Sequence, residues 1–170
     1  MRLRRIWIVG FAALLTACGF QPLYGENPVS APAAEHLSRI KVSPIADRIG
    51  QIVKNHLEDT LTPLGPSSAP LYVLEVTLAK EVDGFGFRRD ESISRENLRL
   101  DATYRLLRSD NNQPVLIGTA RSNMAYDIVR SDFANLSARE DAERRTAEQL
   151  VHIIANRLSL HFLKVETDLR

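Results

Sequence analysis

A single cysteine, Cys18, is the side chain with the greatest capacity for covalent chemistry in this sequence. A thiolate is a strong nucleophile, so a thiol in a defined setting is a candidate for modification. Cys18 follows the small residues Thr16 and Ala17, which follow the apolar run 6–15, and three arginines precede that run. The order basic, apolar, small is typical of an export signal, which is removed from the mature protein.

The tetrapeptide Leu15-Thr16-Ala17-Cys18 resembles the lipobox of bacterial lipoprotein precursors. That resemblance implies that the Cys18 thiol receives diacylglycerol and that Cys18, carrying palmitate-type acyl chains, becomes residue one. Gly19 stands where an aspartate would resemble an inner-membrane retention signal, so we expect an outer-membrane lipid anchor on the periplasmic face. The alternatives are a buried free cysteine and a retained anchor, although about 20 apolar residues are needed to span a bilayer.

Other residues that commonly carry chemistry lack the necessary spacing. The histidines do not form a metal-ligand pattern, and no Gly-x-Ser-x-Gly nucleophile elbow is present. The segment Gly84-Phe85-Gly86-Phe87 lacks the third glycine of a nucleotide-binding loop. We therefore predict a chain that is not an enzyme and that has neither a metal site nor a cofactor. The four histidines are His36, His56, His152 and His161.

The balance of charges argues against nucleic acid as a partner. Without residues 1–17, Lys and Arg fall from 22 to 19 while Asp and Glu stay at 21, a net charge of −2. Nucleic-acid-binding domains generally present a basic stripe. The apolar share of 44% and the charged share of 25% are those of an ordinary globular domain.

The segment 82–96, VDGFGFRRDESISRE, combines aromatic and basic side chains. Arginine guanidinium groups bind phosphates in a bidentate manner, and exposed phenylalanine rings can contact acyl chains. An amphiphile that carries phosphates above an acyl region is thus one ligand for this segment. The alternative is a solvated hairpin tip whose rings fold back onto the core. The side chains concerned are Phe85, Phe87, Arg88, Arg89 and Arg95.

The elements that position these residues follow from hydrophobic periodicity. Alternation with a period of two predicts three long antiparallel strands near residues 71–82, 97–106 and 114–128, after a short strand at 40–45. A period of 3.6 predicts one helix from Asp47 and a second after Asn135, with Ser137 as its N-cap in a capping box with Glu140.

The predicted order is therefore β-α-β-β-β-α, an α+β two-layer sandwich in which two helices cover one face of a four-stranded sheet. The even-numbered strand residues should face the helices. The predicted organisation is a signal peptide at 1–17, an acylated N-terminus and tether at 18–38, a single domain at 39–165, and a frayed tail at 166–170.

The segment Cys18-Gly19-Phe20-Gln21-Pro22-Leu23-Tyr24-Gly25, together with this element order, resembles the LPS-assembly lipoprotein (LptE-like) family. The resemblance implies a plug inside a large outer-membrane β-barrel (LptD-like), which it helps to assemble, and contact with lipopolysaccharide during export. Arg88, Arg89 and Arg95 are the lipopolysaccharide-binding candidates from local chemistry alone.

Two other functions remain open at this stage. One is a periplasmic lipoprotein that activates a cell-wall synthase or serves as an auxiliary subunit of a lipid-transport ATPase. The other is a lipid hydrolase, which the absence of a nucleophile motif disfavours. A polar sheet face that mixes Arg99, Asp101, Arg105 and Arg121 is compatible both with a barrel lumen and with solvent.

Overall fold

Seven elements make up the computed structural model, which describes residues 31–63, 65, 67–87 and 93–168. They are α1 (Ala31–Ser38), β1 (Ile40–Val42), α2 (Asp47–Leu61), β2 (Tyr72–Phe87), β3 (Ile93–Arg108), β4 (Pro114–Asp127) and α3 (Asp132–Asp168). Cys18, Arg88 and Arg89 lie outside the described residues.

The four strands form one sheet in the order β1-β2-β3-β4. The three long strands pair antiparallel, and β1 pairs parallel to the start of β2, with Ile40 opposite Tyr72 and Val42 opposite Leu74. α2 connects the two parallel strands, as a crossover between parallel neighbours requires. The predicted α+β class with a four-stranded sheet is confirmed.

The core lies between the sheet and the helices α2 and α3. The even-numbered side chains of β2, β3 and β4 face the helices, as their alternation predicted. Fully buried positions include Leu74, Leu98, Leu100 and Leu106 on the sheet, Val53 and Leu57 on α2, and Leu150, Ile154 and Leu158 on α3. Residues from every layer belong to one continuous apolar cluster, so a single core holds the domain together.

A close contact between β3 and β4 depends on a glycine. Tyr104, which is 2% exposed, pairs with Gly118 on the neighbouring strand. A Cβ atom added to Gly118 would overlap the Tyr104 hydroxyl and ring. The aromatic ring therefore occupies the space above the glycine, an arrangement that pins the register of β4.

One carboxylate is almost fully enclosed where three elements meet. Glu143 of α3 is 4% exposed and pairs with Arg48 of α2 and with Lys80 of β2, whose Nζ lies 3.2 Å from Glu143 Oε1. A buried carboxylate without partners would be strongly destabilising, and here two cations compensate it. The cluster ties both helices to the middle of β2.

α3 begins earlier than the sequence predicted. Ser131 precedes its first residue, and the Ser131 hydroxyl accepts a hydrogen bond from the Ala134 amide at 3.4 Å, so Ser131 is the N-cap. The predicted N-cap, Ser137, lies inside the helix, and that prediction is wrong. A capping box is a local sequence pattern, whereas the residue at which α3 begins depends on where the chain leaves β4.

Both ends of the predicted domain also extend further. Residues 31–38, assigned to the tether, form α1, where Ala33 is 4% exposed and packs into the core. His36 of α1 stacks on Phe162 at 5.0 Å and contacts Tyr72. At the other end α3 continues to Asp168, into the predicted tail 166–170. Tertiary contacts thus stabilise segments whose local sequence is ambiguous.

Candidate functional site

The candidate binding residues that the structure describes lie at the turn end of the β2–β3 hairpin. Arg95 of β3 stands opposite Phe85 of β2 and opposite Asp127 of β4. Phe85 is 42% exposed, so a large part of its ring is accessible to solvent rather than folded back onto the core. Of the predicted site, the structure thus brings Phe85 and Arg95 together, whereas Arg88 and Arg89 fall outside the described residues.

Arg95 already has an acidic partner. Its Nε donates to Asp127 Oδ1 at 2.7 Å, and that hydrogen bond together with the attraction of the two charges raises the pKa of Arg95 and lowers the pKa of Asp127. Both side chains are at least half exposed. An incoming phosphate must therefore compete with Asp127 for the guanidinium.

A shallow open groove of about 510 Å³ surrounds this pair. Its lining is Phe85, Gly86, Ser94, Arg95, Asp127, Ile128 and Val129. Gly86 has a φ of +76°, which interrupts the regular pairing with β3 one residue before β2 ends, and its carbonyl accepts a hydrogen bond from Ser94 Oγ at 3.1 Å. The groove joins an ion pair to exposed apolar surface, which is the combination that an amphiphile needs.

Further exposed apolar side chains lie on the first turns of α3. Phe133 is 79% exposed and Leu136 is 56% exposed, and the Asn135 side chain between them bonds to the backbone N–H and C=O of Val129 at 2.8 and 2.9 Å. This clamp fixes the start of α3 beside the groove.

The sequence interpretation missed Phe133 and Leu136. They precede Ser137, the predicted N-cap, so the sequence pattern did not place them on a helix face. Two large apolar side chains three residues apart in an otherwise polar helix start are the available signal, because such a spacing places both on one side.

A polar network supports the groove from the helix side. The Tyr126 hydroxyl donates to Glu96, and Arg139 of α3 donates to the Tyr126 hydroxyl at 3.1 Å and pairs with Glu96 at 3.2 Å. Burial first, and then the hydrogen bond to Glu96, raise the pKa of Tyr126. The phenol therefore stays neutral, and the network joins β3, β4 and α3 at the tip.

The face of the sheet turned away from the helices carries a ladder of ion pairs. Arg105 lies 2.6 Å from Glu75, and Arg99 pairs with Glu81, Asp83 and Asp101. Asp101 also pairs with Arg121. These pairs, which join neighbouring strands except for Arg99 with Asp101 on β3, are at least partly exposed, so each stabilises the fold little. They leave the face polar with charges of both signs, as the sequence indicated.

The described residues contain neither a cluster of metal ligands nor a helix that could span a bilayer. Its His, Asp and Glu side chains nowhere gather in a group of three that could hold a metal ion. None of the described helices combines the length and apolar character that a bilayer-spanning helix requires.

A family model for lipopolysaccharide assembly, LptE, matches residues 37–158, which is well over half of the chain. The chain belongs to the LptE family. The matched range contains the whole sheet, α2, the Arg95–Asp127 pair and most of α3. No curated protein sequence matches the chain.

Solved structures share the LptE-family fold of this chain. A Caulobacter crescentus chain described as a lipoprotein is 24% identical with a TM-score of 0.66, covering 78% of this chain and 97% of its own. A minor lipoprotein from Acinetobacter baumannii is 15% identical with a TM-score of 0.58, covering 72% and 92%. Lipoprotein B from Nitrosomonas europaea is 13% identical with a TM-score of 0.53, covering 71% and 79%. At these identities the similarity shows the fold.

Proposed function

We propose that this chain is a non-enzymatic outer-membrane lipoprotein that partners the large LptD-like β-barrel of lipopolysaccharide export, helps that barrel assemble, and acts as its plug. The family-model match over residues 37–158 carries the proposal. The polar, ion-paired sheet face supports it, because a barrel lumen is itself polar.

The test is co-purification of defined proteins. The full lipoprotein is expressed with the LptD-like barrel protein of the same bacterium, extracted in detergent and purified through a tag on the lipoprotein. A stoichiometric complex is expected. Recovery of peptidoglycan synthases or of a lipid-transport ATPase, with no barrel, would contradict the proposal and favour the alternative function.

The proposed anchor is acylated Cys18, which holds the mature chain on the periplasmic side of the outer membrane. Two or more acyl chains make membrane attachment stable, since each buried methylene contributes about 0.8 kcal/mol. Cys18→Ala should leave an uncleaved precursor that takes up no labelled palmitate. Palmitate on that variant would refute the anchor.

The proposed lipopolysaccharide contact is the hairpin tip, through Arg88, Arg89 and Arg95 with Phe85 beside them. The half-exposed Arg95 guanidinium opposite the exposed Phe85 ring supports a site that takes phosphates and acyl chains together, although Asp127 already pairs with Arg95. Because Asp127 competes for Arg95, we expect Arg88 and Arg89 to supply most of the phosphate affinity.

Replacing Arg88, Arg89 and Arg95 by alanine should weaken lipopolysaccharide retention about tenfold or more at fixed ionic strength while barrel binding persists. The matched control removes three other arginines from the same domain, Arg105, Arg108 and Arg121, and should retain lipopolysaccharide. Equal loss in both triple variants would indicate general charge rather than a site at the tip.

A further inference from the structure

The outer edge of β2 is paired over only a small part of its length. β1 covers Tyr72–Leu74, and the Ser43 amide then donates to the Leu74 carbonyl at 2.9 Å. Pro44 follows, and a proline cannot continue such a ladder. Along the rest of β2, up to Phe87, none of the described residues forms a neighbouring strand on that side.

The pairing shows which backbone groups face this edge. Leu74 directs its carbonyl toward β1, and the Tyr72 amide donates toward Arg39 on the same side at 3.3 Å. Since the direction of backbone groups alternates along a strand, the N–H and C=O groups of Val76, Leu78, Lys80 and Val82 point outward. They repeat at about 6.8 Å, the spacing of an extended polypeptide.

The side chains that border the edge define the partner's chemistry. On the polar face Glu81, Asp83 and Asp101 share Arg99 and Arg121, which leaves one net negative charge in this cluster. On the helix face Val82 is 39% exposed. A matching strand thus carries a basic side chain toward Glu81 and Asp83 and an apolar one toward Val82.

We propose that the edge from Val76 to Gly84 receives an extended segment of the barrel partner by β-strand addition. The inference rests on the proposed function and deepens it by naming where the partner binds. A closed barrel has no free edge of its own, so the segment comes from a loop or chain terminus of the barrel protein and alternates basic and apolar residues.

Amide-resolved hydrogen exchange tests this directly, on the full lipoprotein in detergent, alone and in the purified complex. In the free chain the amides of Val76, Lys80 and Val82 should exchange at least ~100-fold faster than those of Thr77, Ala79 and Glu81, which bond to β3. In the complex the fast set should slow by ~10-fold or more. Unchanged exchange in a stable complex would overturn the proposal.

Protection of the outward amides in the chain without barrel would also overturn it. Together with a monomeric mass it would mean that the chain's own N-terminal segment occupies the edge. Together with a dimeric mass it would mean that a second copy does. Failure of the wild-type chain to bind the barrel would reject the proposed function itself.

A proline substitution provides a second measurement. Val82→Pro removes one outward N–H and leaves the ladder to β3 intact, because edge positions tolerate proline. Val82→Ala removes the same side chain and keeps the N–H. We expect Val82→Pro to lower recovery of barrel at least ~10-fold and Val82→Ala to stay within ~2-fold. Equal recovery of barrel by the two variants would count against strand addition.

Discussion

The two edges of the sheet are held very differently. β4 is tied to α3 along its length: Tyr126 joins Arg139, Ser122 donates to Gln149 at 2.9 Å, and Arg157 donates to the Thr119 carbonyl. Beyond β1, and among the described residues, β2 has one such tie, from Lys80 to Glu143. α2 returns toward the start of β2 and leaves the outer part of that strand uncovered.

The difference concerns how far each edge strand's backbone is protected from pairing with another chain. An unpaired edge is an aggregation hazard unless side chains or neighbouring elements protect it. On β4 the guanidinium of Arg157 donates a hydrogen bond to the Thr119 carbonyl, which points away from β3. On β2 the only lysine of the outer stretch, Lys80, is engaged with Glu143 and does not guard the backbone. Among the described residues β4 is thus the edge held more closely to a helix, and the outer part of β2 is the edge that we propose for a partner.

The largest loss of stability should come from a substitution at Gly118, against which the Tyr104 ring packs. Gly118→Ala places a methyl group where the Tyr104 ring lies, so we expect a loss of about 2–3 kcal/mol in the free energy of unfolding. Gly86→Ala, at a φ of +76° near the open edge, should cost about 1 kcal/mol. Urea unfolding measures both, and equal losses would contradict the proposed asymmetry.

The second-largest loss of stability should come from removing the charge of the buried Glu143 carboxylate. Glu143→Gln keeps the shape and removes the charge that Arg48 and Lys80 share, and should cost about 1–2 kcal/mol because both partners remain partly solvated. The control is Glu75→Gln, which breaks the exposed pair with Arg105 and should cost less than about 0.5 kcal/mol. Urea midpoints that shift equally would show that burial of Glu143 is unimportant.

The tyrosine network predicts a specific pH dependence. The pKa of Tyr126 is raised in the folded state, so the unfolded chain loses the phenolic proton first as pH rises. The stabilisation is present below about pH 10 and is lost above it. Tyr126→Phe should remove this component from the pH profile of the unfolding free energy. A variant that still shows the full alkaline loss would exclude the network as its origin.

The smallest change in stability should come from Arg157→Ala, because the side chain is exposed: less than about 0.5 kcal/mol. The substitution should instead increase self-association, because the Thr119 carbonyl of the edge strand β4 loses its hydrogen-bond partner and can pair with another chain. Light scattering should show increased self-association relative to Arg145→Ala, an exposed substitution on the same helix. Identical scattering would show that Arg157 does not protect the edge.

Much of the fold was predictable because its signals are periodic. The alternation in β2, β3 and β4 placed Leu74, Leu100 and Tyr104 on the helix face, and the 3.6-residue stripe of α3 placed Leu150 and Ile154 against them. Both periods are local properties of the backbone. Parallel pairing of β1 with β2 was not predicted, because it depends on the path of α2 between them.

The candidate site was less predictable because its contacts are long-range. Arg95 was identified by residue type, yet its partner Asp127 lies 32 residues away and meets it only through the β3–β4 register. The start of α3 was misplaced for a related reason: Ser137 and Glu140 form a capping pattern, while the actual start depends on Asn135 holding Val129.

The lengths of the long elements make the domain a spacer. The 16 residues of β2 extend about 50 Å at 3.3 Å each, and the 37 residues of α3 extend about 55 Å at 1.5 Å each. β1 and the His36–Tyr72 contact lie at one end, and Phe85 and Arg95 lie at the other. Removing two residues shortens a strand by about 7 Å but this helix by about 3 Å. A change in the reach of the tip that keeps the two layers matched therefore needs about two helix residues for every strand residue.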